Sequence, residues 1–231
     1  IEDPIEFTHT HKNCIVTQRE VGVDTDSWGA ALKNTLRQAP DVIFMGEIRD
    51  RETMSAAIAY AQSGHLCLAT LHANNSYQAL NRILSFYPVE VRSTMLGDLS
   101  SALKTIVSQR LVRNLKGERM AAVEVLLNTK LVAELIERGD FSGVREAMEK
   151  SMADGSQTFE QDLARLITEK RIGRKEGLAH ADSPNNLMWR LQNDSVKAID
   201  TLAASREEQE RDAQDSVPSF TEIVLDVKFD A

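Results

Sequence analysis

Four consecutive apolar residues, Val42–Met45, run directly into Gly46 and the carboxylate of Glu47. A short, uninterrupted apolar run predicts a strand that is buried on both faces of a parallel sheet. Ligands of open α/β sheets bind beyond the carboxyl ends of such strands, which would place Glu47 at the active edge. Gly46 lets the backbone bend, or pass close to a phosphate, without a Cβ clash. The pattern therefore predicts a buried strand with an acidic side chain at its ligand-binding end.

A second apolar run, residues 66–71, lies between His65 and His72. The chain between the two runs has the apolar spacing of a helix from Arg51 to about residue 63. Strand, helix and strand make a βαβ unit, whose two strands are expected to lie parallel and to be joined by a right-handed crossover. Glu47 and His72 are therefore expected at the same edge of the sheet.

Upstream of this unit, residues 7–23 alternate enough to predict a hairpin, or a loop with strand character. A helix is predicted to start within residues 24–27 and to run to about Gln38, with Trp28 and Leu32 on one face. Pro40 is expected to end it.

Beyond residue 75 the apolar spacing is mostly helical. It predicts helices over residues 76–86, 89 to about 112, 131–136, 141–152 and 158–172. Residues 121–127 remain open between one more strand and a helix. The chain is thus divided into an α/β part over residues 1–75, a largely helical part over 76–180 and a polar, acidic tail over 181–231. Within the tail, residues 205–215 are densely charged, and residues 222–229 partly alternate like an edge strand.

Composition is that of a globular chain that works inside the cell. Of the 231 residues, 42% are hydrophobic and 27% charged, and no apolar run approaches the ~20 residues of a membrane span. The net charge of -8 argues against nucleic acid as the main partner, and the local basic stretch 110–116 is interpreted as a solvated helix end. Cys14 and Cys67 have no spacing that suggests a disulfide framework, which fits a reducing compartment.

Three segments with polar ends follow one another along the chain. Residues 1–6 carry three carboxylates beside a proline, residues 42–47 form the strand that ends in an acid, and residues 64–74 form a strand with a histidine near each end. In this order they resemble the Asp box, Walker B box and His box of the secretion ATPase superfamily, the hexameric motors of type II secretion and type IV pili.

Three further stretches narrow the resemblance: Arg19 in its context, residues 36–41 and residues 128–139. The first two resemble the type IV pilus retraction branch, which comprises the PilT and PilU types, and the third resembles the PilU type more. The resemblance implies part of a RecA-like parallel-sheet core, with ATP and Mg²⁺ as cofactors. The sequence contains no Gly-x-x-x-x-Gly-Lys-Ser/Thr phosphate loop. We therefore interpret the chain as the C-terminal part of a longer ATPase, expected to turn over ATP poorly by itself.

The resemblance also implies roles for individual acids and histidines. Glu6 would activate the attacking water, and Glu47 would contribute to the magnesium shell through water. His65 and His72 would form the pair that senses the γ-phosphate or relays its presence to the neighbouring domain. A surface acid at Glu6 and structural histidines are the simpler alternatives. Asp3 is expected to hold its loop by capping backbone amides before the proline.

Arginines would complete such a site, because a ring-shaped ATPase can stabilise transition-state charge with an arginine in cis or from the adjacent subunit. Arg19, Arg37 and Arg49 are the candidates. Arg49 has a simpler alternative, an ion pair with Asp50 or Glu52, so the other two are preferred. Activity would then belong to an oligomer, which the resemblance implies is a homohexamer.

The function implied is that of an ATP-hydrolysing motor that powers pilus retraction, and hence twitching motility, at the cytoplasmic face of the inner membrane. Its partners would be an inner-membrane platform protein and a related retraction ATPase. One alternative is a non-hydrolysing subunit that binds the retraction ATPase through its helical part and acidic tail. Another is a metal-dependent hydrolase built on Glu47, His65 and His72. The direction of pilus movement rests on the resemblance alone.

Overall fold

The structure is a computed structural model, and it describes residues 1–150 and 155–193. The predictions for residues 205–215 and 222–229 lie outside the described residues. The elements of the first part are α1 (Trp28–Thr35), a 3-10 turn (Leu36–Gln38), β1 (Val42–Met45), α2 (Arg51–Gln62) and β2 (Leu66–Ala69). Strands β1 and β2 pair in parallel, from Val42 opposite Leu66 to Met45 opposite Ala69. The predicted βαβ unit is therefore confirmed.

Local signals explain why this unit forms where it does. Asp50 caps α2 by accepting a hydrogen bond from the backbone N of Thr53, whose hydroxyl in turn meets the backbone N of Asp50. Ser27 caps α1 in the same way, by accepting from Ala30 N. Beyond α2 the chain reverses at Gly64, whose φ of +94° lies in the left-handed region that favours glycine.

The prediction that β1 is buried on both faces is wrong for the described residues. Ile43 and Met45 are 3% and 0% exposed, but Val42 and Phe44 are 49% and 41% exposed. The described chain covers only one face of the two-stranded sheet, the face that joins the main hydrophobic core. Because side chains alternate along a strand, every second residue then faces outward.

Residues 7–19 form a loop rather than a hairpin, and the chain on both sides of it is held by backbone pairing. Glu2 N donates to Arg19 O at 3.0 Å, and Val21 N donates to Glu2 O at 3.0 Å. The segment before the loop lies along β1, because the ammonium of Ile1 donates to Phe44 O at 2.9 Å. These contacts place the N-terminal residues beside the end of β1.

The second part, as far as the structure describes it, consists of helices and a β-hairpin. Its elements are α3 (Ser76–Ser85), α4 (Val89–Ala102), β3 (Thr105–Arg113), β4 (Arg119–Leu127), α5 (Lys130–Glu137), α6 (Phe141–Lys150), α7 (Phe159–Thr168) and α8 (Arg174–His180). Residues 184–193 are also helical. None of the helices in the described ranges is both long and apolar enough to cross a membrane.

The prediction that one helix continues to about residue 112 is wrong. Helix α4 ends at Ala102, and β3 pairs along its whole length with β4 in an antiparallel hairpin. Burial along β3 alternates, with Ser108 and Val112 inside. The β-branched residues Thr105, Ile106 and Val107 suit a strand, and the hairpin partner supplies backbone hydrogen bonds that apolar spacing does not reveal. Residues 121–127, left open by the sequence pattern, belong to β4.

Two hydrophobic clusters form the interior of the described part of the chain. The first joins both parts of the chain, since Met45 packs in the same cluster as Leu80 and Ile136. The second includes Val112, Phe159, Leu163 and Leu187. Leu187 is fully buried, so residues 181–193, which the sequence pattern assigns to the tail, contribute a side chain to this cluster.

Glu124 is a buried carboxylate beside Ser76, where the second part of the chain begins. It lies on β4, is 6% exposed and accepts a hydrogen bond from Ser76 N at 2.7 Å. Burial raises the pKa of Glu124, and the hydrogen bonds from Ser76 partly oppose this shift. Ionisation of Glu124 is therefore less favourable in the folded chain than in the unfolded chain.

Replacing Glu124 by Gln is expected to flatten the pH dependence of stability. A carboxyl whose pKa is raised in the folded state contributes stability below its unfolded pKa, and this contribution is lost as pH rises through the folded pKa. The free energy of unfolding should therefore fall less between about pH 4 and pH 7 in Glu124→Gln than in the unaltered chain. Gln keeps an oxygen that can accept from Ser76.

Urea unfolding at both pH values measures this difference. Glu137→Gln, at an exposed position on α5, is the matched control and should leave the slope unchanged. Equal slopes for Glu124→Gln and the unaltered chain would contradict the prediction.

Candidate functional site

Glu47 is the centre of a network of charged side chains at the carboxyl end of β1. Its side chain is 15% exposed. Oε1 lies 3.1 Å from His72 Nε2, and Oε2 accepts a hydrogen bond from Arg49 Nε at 2.6 Å. The parallel strands therefore bring Glu47 and His72 together, as their positions in the sequence predict. Both oxygens of Glu47 face a nitrogen group.

Arg49 extends this network to the N-terminal segment. Its Nη1 lies 3.5 Å from Asp3 Oδ2 in addition to the bond with Glu47. The hydrogen bond to Glu47 raises the pKa of Arg49 further. The suggested ion pair of Arg49 with Asp50 or Glu52 is wrong, since Arg49 pairs with Glu47 and Asp3 instead. Arg49 thus links two acids of different segments.

The loop around Asp3 is held by Glu2 and Glu20, two acids for which the sequence pattern predicts no individual role. Glu2 Oε2 accepts from Gln18 Nε2 at 2.8 Å, and Glu20 Oε2 accepts from Ile5 N at 3.0 Å. The expectation that Asp3 caps backbone amides is replaced by its contact with Arg49. These partners could not be chosen from the sequence, because the pairing of residues 2 and 20 across the loop decides them.

Gly46 allows the N-terminal segment to approach β1. Its N donates to Ile1 O at 2.8 Å, and its carbonyl accepts from the hydroxyl of Thr70. A Cβ at this position would lie 3.1 Å from Glu2 Cγ, 3.2 Å from Glu2 Cα and 3.3 Å from Ile1 O. The close neighbour at Gly46 is therefore the backbone of residues 1–2.

Replacing Gly46 by Ala is expected to push the N-terminal segment outward by a few tenths of an ångström. The crowding should lower the free energy of unfolding by about 1–3 kcal/mol and loosen the contact between Asp3 and Arg49. Urea unfolding measures the loss. Gly97→Ala on α4 is the matched control, because its Cβ meets open space and Ala favours the helix. If Gly46→Ala is as stable as Gly97→Ala, the approach of residues 1–2 to β1 does not require glycine at position 46.

The remaining predicted residues lie apart from this network. Glu6 is exposed, and Arg19 is half-buried beside Glu2. Arg37 is exposed on the 3-10 turn before β1. It therefore lies at the amino end of this strand, whereas Glu47 follows its carboxyl end. His65 precedes β2 and lies 2.9 Å from Ser63 Oγ, so it is at the other end of β2 from His72. The two histidines therefore do not form a pair within one copy of the chain.

A protein-built metal centre is not assembled in this part of the molecule. Across residues 1–150 and 155–193, no three His, Cys, Asp or Glu side chains are placed to hold a metal ion. The set Glu47, His65 and His72 is divided between the two ends of β2. The hypothesis of a metal-dependent hydrolase built on these three residues is therefore not supported by their placement.

A second group of contacts follows directly after His72. Arg110 on β3 reaches the backbone of Asn74, and Asp182 accepts a hydrogen bond from Asn75. Interpreting residues 110–116 as a solvated helix end is wrong for Arg110, which is 17% exposed and lies on a strand. The sequence carries no local signal for this role, since the partners are tens of residues apart.

Comparison with known proteins defines the class of protein to which the chain belongs. The family model described as "Type II/IV secretion system protein" matches residues 1–177. The chain belongs to this family. The three segments with polar ends that suggested the resemblance all fall within the matched range.

Individual relatives agree with the pilus retraction branch. The chain is 53% identical over 205 residues to the type IV pilus ATPase PilU of Pseudomonas aeruginosa, covering 88% of the chain and 54% of that protein. It is 36% identical over 186 residues to PilT of the same organism, described as a type IV pilus retraction ATPase, covering 80% of the chain and 54% of that protein. The predicted greater likeness to the PilU type is confirmed.

A solved structure supports the fold. The crystal structure of the pilus retraction motor PilT with bound ADP superposes with a TM-score of 0.72 at 37% identity, covering 80% of the chain and 52% of that structure. The predicted α/β class, with part of a RecA-like parallel-sheet core, is confirmed. The chain spans about half the length of the relatives it matches.

Proposed function

We propose that the protein containing this chain is an ATP-hydrolysing motor of the type IV pilus machinery, and that it powers pilus retraction and twitching motility. The observation that carries the proposal is the contact of Glu47 with His72 and Arg49 at the carboxyl edge of two parallel strands. This is where open α/β sheets bind their ligands. The similarity to PilU and PilT supports the same activity.

The charges at this edge suit phosphoryl transfer to water. That reaction needs an oriented water molecule and groups that neutralise charge on the γ-phosphate. Glu47 supplies a carboxylate that can orient a water through a hydrogen bond. Arg49, 55% exposed, can turn towards a phosphate without leaving a buried site. His72 is 81% exposed and lies on the other side of the same carboxylate.

The acids also fit magnesium bound with ATP. Mg²⁺ is usually held by one or two carboxylates together with phosphate oxygens and waters, so a single edge carboxylate suffices. Glu47 would face the ion through water, and Asp3 lies on the other side of Arg49. When bound, the ion neutralises charge on the β- and γ-phosphates.

Under this proposal, the other residues that the sequence predicts for the site act in an oligomer. Glu6 would activate the attacking water from the exposed N-terminal segment. Arg37 and His65 lie at the opposite strand ends from Glu47 in the same copy, so we assign them, with Arg19, to nucleotide or interface contacts between neighbouring subunits. An arginine from an adjacent subunit would stabilise transition-state charge. The active form would be a homohexamer.

The cellular setting completes the proposal. The motor would act at the cytoplasmic face of the inner membrane, on a platform protein and together with a related retraction ATPase. The 231 residues contain no Gly-x-x-x-x-Gly-Lys-Ser/Thr sequence, and we propose that they turn over ATP poorly on their own.

Phosphate release by the full-length protein that contains this chain tests the proposal. The protein should hydrolyse ATP with Mg²⁺, and Glu47→Gln should abolish both hydrolysis and the shortening of labelled pili in a host that depends on it. A full-length protein that restores pilus shortening with Glu47→Gln in place would instead be a non-hydrolysing partner of the retraction ATPase. Hydrolysis that is indifferent to Glu47 would overturn the assignment of the site.

A further inference from the structure

Asn74, Asn75 and Ser76 lie shortly after His72. Each of these three residues is held by a part of the chain that is distant in sequence. Asn74 O accepts from Arg110 Nη2 at 3.3 Å, and Asn75 Nδ2 donates to Asp182 Oδ2 at 2.9 Å. Ser76 N donates to the buried Glu124 at 2.7 Å. The partners lie 36, 107 and 48 positions away in sequence. Side chains of the second part of the chain therefore set the path of this segment.

Arg110 is itself held in place by the second hydrophobic cluster. Its side chain is 17% exposed, and its guanidinium lies 3.9 Å from the centre of the ring of Phe159, which is fully buried. Nη1 donates to His180 O at 2.6 Å, and Nη2 pairs with Asp182. A planar guanidinium that is stacked and hydrogen-bonded at several positions has little freedom to move.

His72 has no such support of its own. Its side chain is 81% exposed, and its position against Glu47 depends on the backbone that carries it. Only one residue separates His72 from Asn74, the residue that Arg110 holds. Asn75 also caps α3 by accepting from Gln78 N, so a rigid helix begins where the loop is held.

We propose that Arg110 is a positioning residue for the site: it holds the backbone of Asn74 while Asp182 holds the side chain of Asn75, and together they determine where His72 meets Glu47. This inference rests on the proposed function. It makes the segment from His72 to Ser76 the mechanical link between the site and the second hydrophobic cluster. Under this proposal, a shift of that cluster would change the contact of His72 with Glu47.

Substitution of Arg110 in the full-length protein tests the role. Arg110→Gln removes the positive charge and the planar set of N–H donors of the guanidinium. The kcat for ATP hydrolysis should then fall about tenfold with little change in KM, because a small misplacement of a positioned group slows the reaction. Arg110→Lys keeps the charge but cannot stack on the ring or form several hydrogen bonds at once. Its kcat should lie between that of the unaltered protein and that of Arg110→Gln.

A double-mutant cycle separates positioning from general damage. If Arg110 acts through His72, then Arg110→Gln should have almost no further effect on kcat in a His72→Ala background. Arg165→Gln is the matched control. It removes an ion pair of 2.6 Å with the buried Asp162, beside the second cluster, and the hydrogen bonds of these two side chains join them to each other, to Val123 N and to Glu169. Its kcat should stay within about twofold of the unaltered protein.

Hydrogen exchange provides a readout that does not depend on activity. Amides over residues 72–78 should exchange about tenfold faster in Arg110→Gln than in Arg165→Gln, because their tether is lost. Equal exchange in the two variants overturns the proposal, as does a full tenfold loss of kcat that persists in the His72→Ala background. If Arg110→Gln fails to fold, Arg110→Lys is compared by the same two measurements.

Failure of the proposed function would look different. Hydrolysis indifferent to Glu47→Gln would refute the site assignment, whatever the exchange data show. Hydrolysis that depends on Glu47 but loses the same factor from Arg110→Gln with or without His72 would refute the positioning role alone.

Discussion

Replacing Glu47 by Gln in the full-length protein is expected to lower kcat for ATP hydrolysis by about 10²- to 10³-fold, as the loss of one group that stabilises charge in the transition state usually does. Gln has nearly the same shape and can still accept a hydrogen bond from Arg49 or His72. It lacks the negative charge that orients a water and offsets the metal. The loss should therefore fall on the chemical step.

The affinity for ATP, in contrast to kcat, should rise or stay the same in Glu47→Gln. Removing a negative charge near the phosphates relieves repulsion, so KM for ATP should not rise. A fall in kcat with KM unchanged or lower marks an interaction that acts mainly in the transition state. Steady-state phosphate release over a range of ATP concentrations measures both constants.

Asp41→Asn is the matched control for this variant. Asp41 is exposed just before β1, so the substitution removes one negative charge at the end of the strand opposite Glu47. It should leave kcat within about twofold, as surface substitutions usually do. Similar losses for the two variants would mean that total charge, and not the position of Glu47, controls the rate.

Replacing Leu187 by Ala is expected to lower the free energy of unfolding by about 2–5 kcal/mol, the range for a fully buried leucine. Leu187 is 0% exposed and packs in the cluster of Phe159 and Leu163. The substitution removes buried methyl groups and leaves a cavity that close-packed neighbours fill only in part. Denaturant unfolding followed by circular dichroism measures the loss.

Trp189→Ala on the same helical stretch is the control. Trp189 is larger than Leu187 but 65% exposed, so its removal should cost no more than about 0.5 kcal/mol. Equal effects of the two variants would mean that residues 184–193 are not packed against the second cluster. The pair of variants thus tests whether the acidic tail begins at residue 181 or later.

The first part of the fold was accessible from the sequence because its signals are local. The capping residue Asp50, the left-handed Gly64 and the two apolar runs each act within a few residues of where they stand. A parallel pair joined by one helix has almost a single geometry, so its polar strand ends must meet. The meeting of Glu47 and His72 follows from this rule.

The hairpin shows where local information fails. Leu103, Ile106 and Val107 fit the spacing of a helix, while β3 is formed by pairing with a strand whose residues lie up to 22 positions away. Short apolar segments satisfy both periods, so the choice depends on a partner. The outward face of β1 is a similar case, since burial depends on what else packs on the sheet.

The sequence by itself determined the family, the βαβ unit and the order of its polar ends, because these depend on short-range spacing and on motifs that are continuous in the chain. Only the tertiary structure decided that Arg49 bridges Glu47 to Asp3, that Gly46 makes room for residues 1–2, and that Arg110 holds the loop of His72. The physical reason is that each of these contacts joins residues distant in sequence, and only packing of the whole chain selects which distant groups meet.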